Sequence, residues 1–166
     1  MTSAIRFGIL TVSDRSVRGE RADLSGPALE KVIMDYGWQV IWREVLPDDF
    51  DALQTFLRRS AEGSQVDILL TTGGTGFGRR DVTPEATMAV IERLAPGLAE
   101  AMRAESLKIT PHAMLSRGVA GICGRTLIVN LPGSPKAAVE QLGIITPALP
   151  HAVQLLRDEP GAEKGH

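Results

Sequence analysis

The residues best suited to chemistry are gathered in the stretch TTGGTGFGRRDVTPEAT, residues 71–87. Thr72, Gly73, Gly74, Thr75 and Gly76 end or directly follow an apolar, β-branched run, Val66 to Thr72. Glycines there let backbone amides approach an anion closely, and Thr75 adds a hydroxyl donor, so the physical reading is a phosphate cradle. No Lys-Ser or Lys-Thr pair follows the last glycine, and Arg79 occupies the final glycine position of the dinucleotide fingerprint. Neither a P-loop nor a Rossmann motif fits. Arg79 and Arg80 could neutralise a polyphosphate, and Asp81 could hold a magnesium ion or orient an attacking oxygen. The plainer alternative is a glycine turn, with Arg80 and Asp81 as a surface ion pair worth roughly 0–1 kcal/mol or Asp81 as a cap before Thr83.

Asp48 follows the next upstream strand pattern, Gln39 to Leu46, and would share the sheet edge with Asp81. Two carboxylates there suit a place where magnesium and a triphosphate meet. The competing role for Asp48 is an N-cap for a helix that begins near Phe50. Asn130, Pro132, Gly133, Ser134 and Lys136 form a second strand-to-helix junction, where free helix amides and an ammonium could bind another phosphate or carboxylate. Two anion-competent junctions on one edge suit a reaction that joins two phosphorylated molecules.

The elements that must position these residues alternate. Ile5 to Val12 reads as a strand buried on both faces, and Ser25 as the cap of a helix through about Tyr36, closed by Gly37. The Gln39–Leu46 strand leads to a helix ending near Ala61, and Val66–Thr72 to a helix opened by Thr83 and Pro84. Pro96 and Gly97 divide that helix from an amphipathic one whose inner stripe is expected at Leu98, Ala101, Met102 and Leu107. Two β runs, GVAGIC and TLIVNL, are separated by Gly124-Arg125, and Ser134-Pro135 start another helix. The pattern predicts an α/β fold with three layers, a mostly parallel sheet with helices on both faces, and ligands outside the carboxyl ends of the strands.

The chain has 166 residues, a size for one core. We expect a single domain over residues 1–158 and a polar C-terminal tail over 159–166. A net charge of -2 with mixed signs shows no footprint for a nucleic-acid backbone, so no nucleic-acid partner is expected. No segment reads as a leader or a membrane span, and Cys123 as the lone cysteine fits a reducing compartment, so a cytoplasmic protein with no membrane partner is expected. His112, His151 and His166 show no metal-ligand spacing. Trp38, Trp42, Phe50 and Tyr36 fit packing better than a stacking platform.

TTGGTGFGRRDVTPEAT, followed by LSRGVAG and LIVNLPGSPKA, closely resembles the Mog-type molybdenum-cofactor biosynthesis proteins, the molybdopterin adenylyltransferases. It also resembles the adenylyltransferase domains of fusion proteins such as gephyrin. The likeness runs from ILTVSDR to near AVQLL. It implies a compact, usually trimeric α/β protein with Mg2+, ATP and molybdopterin, and leaves room for contacts with other molybdenum-cofactor enzymes. It further implies that Asp48 and Asp81 are the essential acidic residues, Thr72 to Gly76 the phosphate-binding loop, and Ser134 with Lys136 the second junction. Ser13, Asp14 and Ser116 carry over from the same likeness. The family also implies an alternative: siblings that bind molybdopterin or assemble with other enzymes without transferring adenylate. Retention of both carboxylates favours the enzyme, since a pure anion site gains nothing electrostatically from added negative charge.

Overall fold

The computed structural model describes residues 3–165; Met1, Thr2 and His166 lie outside the described part. In chain order come β1 (Arg6–Val12), the short α1 (Asp14–Val17), α2 (Ser25–Asp35), β2 (Gln39–Leu46), α3 (Phe50–Glu62), β3 (Ile68–Thr72), α4 (Thr83–Met88), β4 (Arg93–Leu94), α5 (Pro96–Leu107), β5 (Ala120–Cys123), β6 (Thr126–Leu131), α6 (Pro135–Ile145) and α7 (Leu149–Leu156). Single 3-10 turns lie at Pro111–Leu115, Thr146–Ala148 and Ala162–Gly165. The last of these sits within the polar stretch 159–166 and lies against α7.

The strands form one sheet of six in the order β2-β1-β3-β6-β5-β4. β2, β1, β3 and β6 run parallel, while β5 and β4 are antiparallel additions on one edge. Successive side chains of a strand point to opposite faces, so each central strand feeds two cores. Phe7, Ile9, Ile68, Leu70, Leu127 and Val129 join Leu29, Ile33, Ala138, Leu142 and Val153 on one face. Leu10, Val12, Leu69 and Ile128 join Leu53, Leu57 and Ala86 on the other. β3 and β6 are buried at every residue, as strands with both faces covered must be. β2 is the edge strand, and its exposed and half-buried residues show it.

Local details differ from the sequence reading for identifiable reasons. α4 is one short helix, and the segment before Pro96 becomes β4, a two-residue strand too short to have a period. Leu94 pairs there with Gly121, where an added Cβ would lie 2.6 Å from Ile91. The inner face of α5 carries Ala99, Met102 and Ser106, not Ala101 and Leu107; a serine, which an apolar stripe passes over, can face inward there because its hydroxyl accepts from Gln141 at 3.2 Å. Ser25 is the first helical residue of α2 and not its cap; Asp23 accepts from the Gly26 amide at 3.0 Å. Gly37, with φ +76°, ends that helix as expected.

At the amino ends of the strands, Asp67 ties the chain together. Its amide donates to the Arg6 carbonyl, and its own carbonyl accepts from Leu127, bridging β1 and β6. Its carboxylate accepts from the Arg6 amide at 2.8 Å and from both Arg6 and Arg157 guanidiniums, the latter at 2.6 Å. Burial alone would raise its pKa, but the hydrogen bonds from Arg157 and Arg6 bring it down to about 2. A carboxyl depressed on folding stabilises the fold above its ordinary value near 3.9, and that contribution fades as pH falls towards 2. The shift corresponds to about 2 kcal/mol. Asp67→Asn is therefore expected to lose about 2–3 kcal/mol at neutral pH. Denaturant titrations of both proteins should show that difference shrinking between about pH 4 and pH 2; a gap independent of pH would remove the ionic account.

Candidate functional site

The cleft lies where the connections leave β1 and β3 towards opposite sides of the sheet, the place where open α/β sheets bind ligands. It has a volume of about 540 Å³ and is lined by Ser13, Asp14, Asp48, Thr72, Gly73, Gly74, Asp81, Gly133 and Ser134, with the segment from Arg15 to Ser25 on its wall. Loops from β1, β2, β3 and β6 thus meet at one edge.

Their meeting depends on missing side chains. Gly73 has φ +104°, and a Cβ there would collide with the Val12 carbonyl at the end of β1. A Cβ on Gly133 would stand 3.3 Å from the Gly73 Cα. At Gly74, φ +69°, it would collide with the Thr83 hydroxyl and come within 3.1 Å of Asp48 Oδ1. The loop is then fastened from several sides. The Gly73 amide donates to the Leu131 carbonyl, the Thr83 amide to the Gly74 carbonyl, and the Thr83 hydroxyl to the Gly73 carbonyl at 2.9 Å. Thr72 Oγ1 donates to the Pro132 carbonyl at 2.7 Å, which joins the two junctions.

Arg117 holds the far limb of the loop. Its guanidinium donates to the Gly76 carbonyl at 2.7 Å, to the Asp81 carbonyl at 2.8 Å, and to Glu85. This residue stands beside Ser116 in LSRGVAG, and no local pattern marks it, since its partners are 36 or more positions away in the chain for Asp81 and Gly76.

The carboxylates are arranged as an interlocked set. The Asp14 amide donates to Asp48 Oδ2 and the Asp48 amide to Asp14 Oδ1, each at 3.0 Å. Asp49, not Asp48, caps α3 by accepting from Ala52 at 2.8 Å, so Asp48 is released from the capping role. Arg80 makes no surface pair with Asp81; it grips Asp14 bidentately, at 2.9 and 3.1 Å. That hydrogen bond keeps the Asp14 carboxyl below its usual range. Asp81 instead accepts from the Gly78 amide at 2.9 Å, closing the turn it belongs to. Burial raises the Asp48 pKa, and repulsion from Asp14 and Asp81 adds to it against the Asp14 amide. A cation beside Asp48 and Asp81 would relieve that repulsion. Among the described residues no group of three or more acidic, histidine or cysteine side chains forms a metal cage.

The other expected residues divide. Ser13 and Ser134 line the cleft as caps of α1 and α6, accepting from Ser16 at 3.1 Å and Ala137 at 3.4 Å, and each retains its hydroxyl proton for a ligand oxygen. Thr75, Gly76, Ser116 and Pro132 lie on a separate cavity of about 260 Å³, formed with Ile109, Leu115 and Gln141. Asn130 is on neither: it is buried, and its amide group bonds Thr71, Thr87 and the Val119 amide. Lys136 reaches solvent, 4.0 Å from Glu140, and Arg80 is occupied by Asp14. Thr11 and Asp23, joined at 3.0 Å, were not marked by the sequence.

A family model described as a probable molybdopterin binding domain matches residues 8–151. The molybdopterin adenylyltransferase of Helicobacter pylori is 42% identical over 154 residues, covering 92% of this chain and 88% of that protein. The molybdenum cofactor synthesis protein cinnamon of Drosophila melanogaster is 46% identical over 94% of this chain, which spans only 26% of that protein's length. The crystal structure of the molybdopterin biosynthesis enzyme MoaB from Thermus thermophilus has a TM-score of 0.88 at 49% identity, covering 94% of this chain and 98% of that one.

Gly73→Ala is expected to destabilise the protein by roughly 1–3 kcal/mol through backbone strain alone, with the collision against Val12 added. Thermal unfolding checks this; a melting temperature within error of the parent would show that the strand ends tolerate separation.

Proposed function

The chain belongs to the molybdopterin-binding domain family, and from that membership we propose that it is a molybdopterin adenylyltransferase, which transfers the AMP moiety of ATP to the phosphate of molybdopterin. The observation that carries this reading is the placing of Asp48 and Asp81 on one cleft with Gly73, Gly74, Gly133 and Ser134. Relatives named as molybdopterin adenylyltransferases support it.

Asp48 and Asp81 are the residues to hold Mg2+, which when bound would neutralise the triphosphate. The glycine loop presents its backbone to phosphate oxygens, and the Ser13 and Ser134 hydroxyls donate from the cleft wall. A molybdopterin phosphate oxygen forms a bond to the α-phosphorus in line, the bond to the bridging oxygen breaks, and pyrophosphate leaves with its electron pair. The attacking phosphate is already ionised, so the chain needs no strong base; positioning and charge neutralisation supply the catalysis. Thr75, Gly76, Ser116 and Pro132, on the smaller cavity, would take the non-nucleotide part of the second substrate. Asn130 acts in this reading as a strut between β6 and α4 and touches no ligand.

A cytoplasmic homotrimer accompanies this reading. Leu107, Ile109, Met114 and Leu115 are exposed at the end of α5 and the turn after it, and offer apolar surface for subunit contacts. Light scattering should give three times the chain mass; a strict monomer would end the trimer. Among the described residues no helix is long and apolar enough to cross a membrane.

Asp48→Asn and Asp81→Asn are each expected to abolish formation of adenylylated molybdopterin and pyrophosphate from ATP, Mg2+ and molybdopterin, while stability changes by no more than about 1 kcal/mol. Asp48→Asn should not lower the melting temperature, because burial and like-charge neighbours disfavour its charge in the folded state. Unchanged turnover in both variants would remove the catalytic assignment. A parent protein that binds molybdopterin without turnover would instead be a binding sibling.

A further inference from the structure

The carboxylates of the cleft create a difficulty for a polyanion, since Asp14, Asp23, Asp48 and Asp81 all line it. A triphosphate must meet positive charge there, and the cations that the sequence suggests for this task are elsewhere. Arg80 is held bidentately by Asp14, and neither Arg80 nor Arg79 lines the cleft. Lys136 does not line it either. Arg18 does, but Glu20 occupies it at 2.7 and 3.1 Å.

Arg15 and Arg21 remain. Both are exposed and line the cleft wall, and neither makes a side-chain hydrogen bond or ion pair among the described residues. The Arg15 carbonyl accepts from the Glu20 amide at 2.9 Å, while the Arg15 side chain feels the Glu20 carboxylate through space, behind the stronger contact from Arg18. Their segment is tied down at both ends. Ser13 caps α1 on one side; on the other, Asp23 accepts from the Thr11 hydroxyl at 3.0 Å and from the Gly26 amide. Two arginines thus line the same cleft as Gly73 and Gly74 on an anchored segment, and each carries the planar fork that pairs with phosphate oxygens.

We infer that Arg15 and Arg21 bind the polyphosphate tail of the nucleotide and the pyrophosphate released from it, and that Arg80 is a positioning residue that orders Asp48 through Asp14. The assignment of nucleotide rests on the adenylyl-transfer reading; the polyphosphate site does not need turnover to be tested. Arg80 fixes the Asp14 carboxylate, and the paired amide contacts between Asp14 and Asp48 pass that order on.

The test is calorimetric titration of the full chain with inorganic pyrophosphate and Mg2+, without pterin. The parent should bind, the Arg15→Ala/Arg21→Ala double variant should bind at least roughly tenfold more weakly with an unchanged melting temperature, and Arg79→Ala should match the parent. Arg80→Ala should weaken pyrophosphate binding far less than the double variant while kcat falls, the split expected when an interaction acts mainly on the reacting centre and less on the tail. No binding by the parent, equal binding by the double variant, or a loss in Arg80→Ala as large as that in the double variant would overturn the inference. Turnover by a protein whose pyrophosphate affinity ignores Arg15 and Arg21 sinks the inference and leaves adenylyl transfer standing. Binding through both arginines without any adenylylated product supports the site and removes the proposed reaction.

Discussion

The close approach of bare backbone at the carboxyl ends of β1, β3 and β6 is the constraint on which the rest of the cleft depends. Gly73 lies against Val12 on one side and Gly133 on the other, with no room for a side chain between. Because the strand ends are this close, the loops that leave them share one surface, and Asp48 from the next loop reaches Gly74. The hydrogen bonds of Thr72, Thr83 and Arg117 then fix loops that would otherwise be free to splay. Interdigitated apolar layers beneath supply the rigidity that such precise contacts require.

The two poles of the sheet treat a buried and a half-buried carboxylate in opposite ways. Asp67 receives hydrogen bonds from two guanidiniums and an amide, which outweigh its desolvation and hold it ionised. Asp48 is also taken from water, yet its nearest charged neighbours are carboxylates and its pKa rises. The first arrangement stabilises the fold, whereas the second works against it, as expected where a charge is kept ready for a cation. The two carboxylates differ both in depth and in the charge of their partners.

The layered fold was legible because buried strands and helices leave periods of two and 3.6 in the chain. β3 and β6 announced themselves as short, mainly apolar runs bounded by turn residues, and the glycine-rich junction as a place of close backbone approach. β4 was not legible, because two residues carry no period. The partners of charged residues were not legible either: Arg80 stands beside Asp81 in sequence but reaches Asp14, which lies 66 positions earlier. Asn130 sits in a chemically suggestive junction yet points inward, as the alternation of a strand allows. Arg117 organises the loop from a distant turn, and Asp49 takes the cap that frees Asp48; neither choice could be made from neighbours in the chain.

Arg157, at the end of α7, donates to the carbonyls of Ser3 and Ala4 as well as to Asp67. The stretch that leads into β1 and the end of α7 therefore lie side by side, at the pole of the sheet remote from the cleft. A unit whose first strand and last long helix meet at one pole can be threaded into a longer polypeptide as a cassette. Such grafting would leave the mouth of the cleft facing away from the junction, open to small molecules whatever domains are attached behind it.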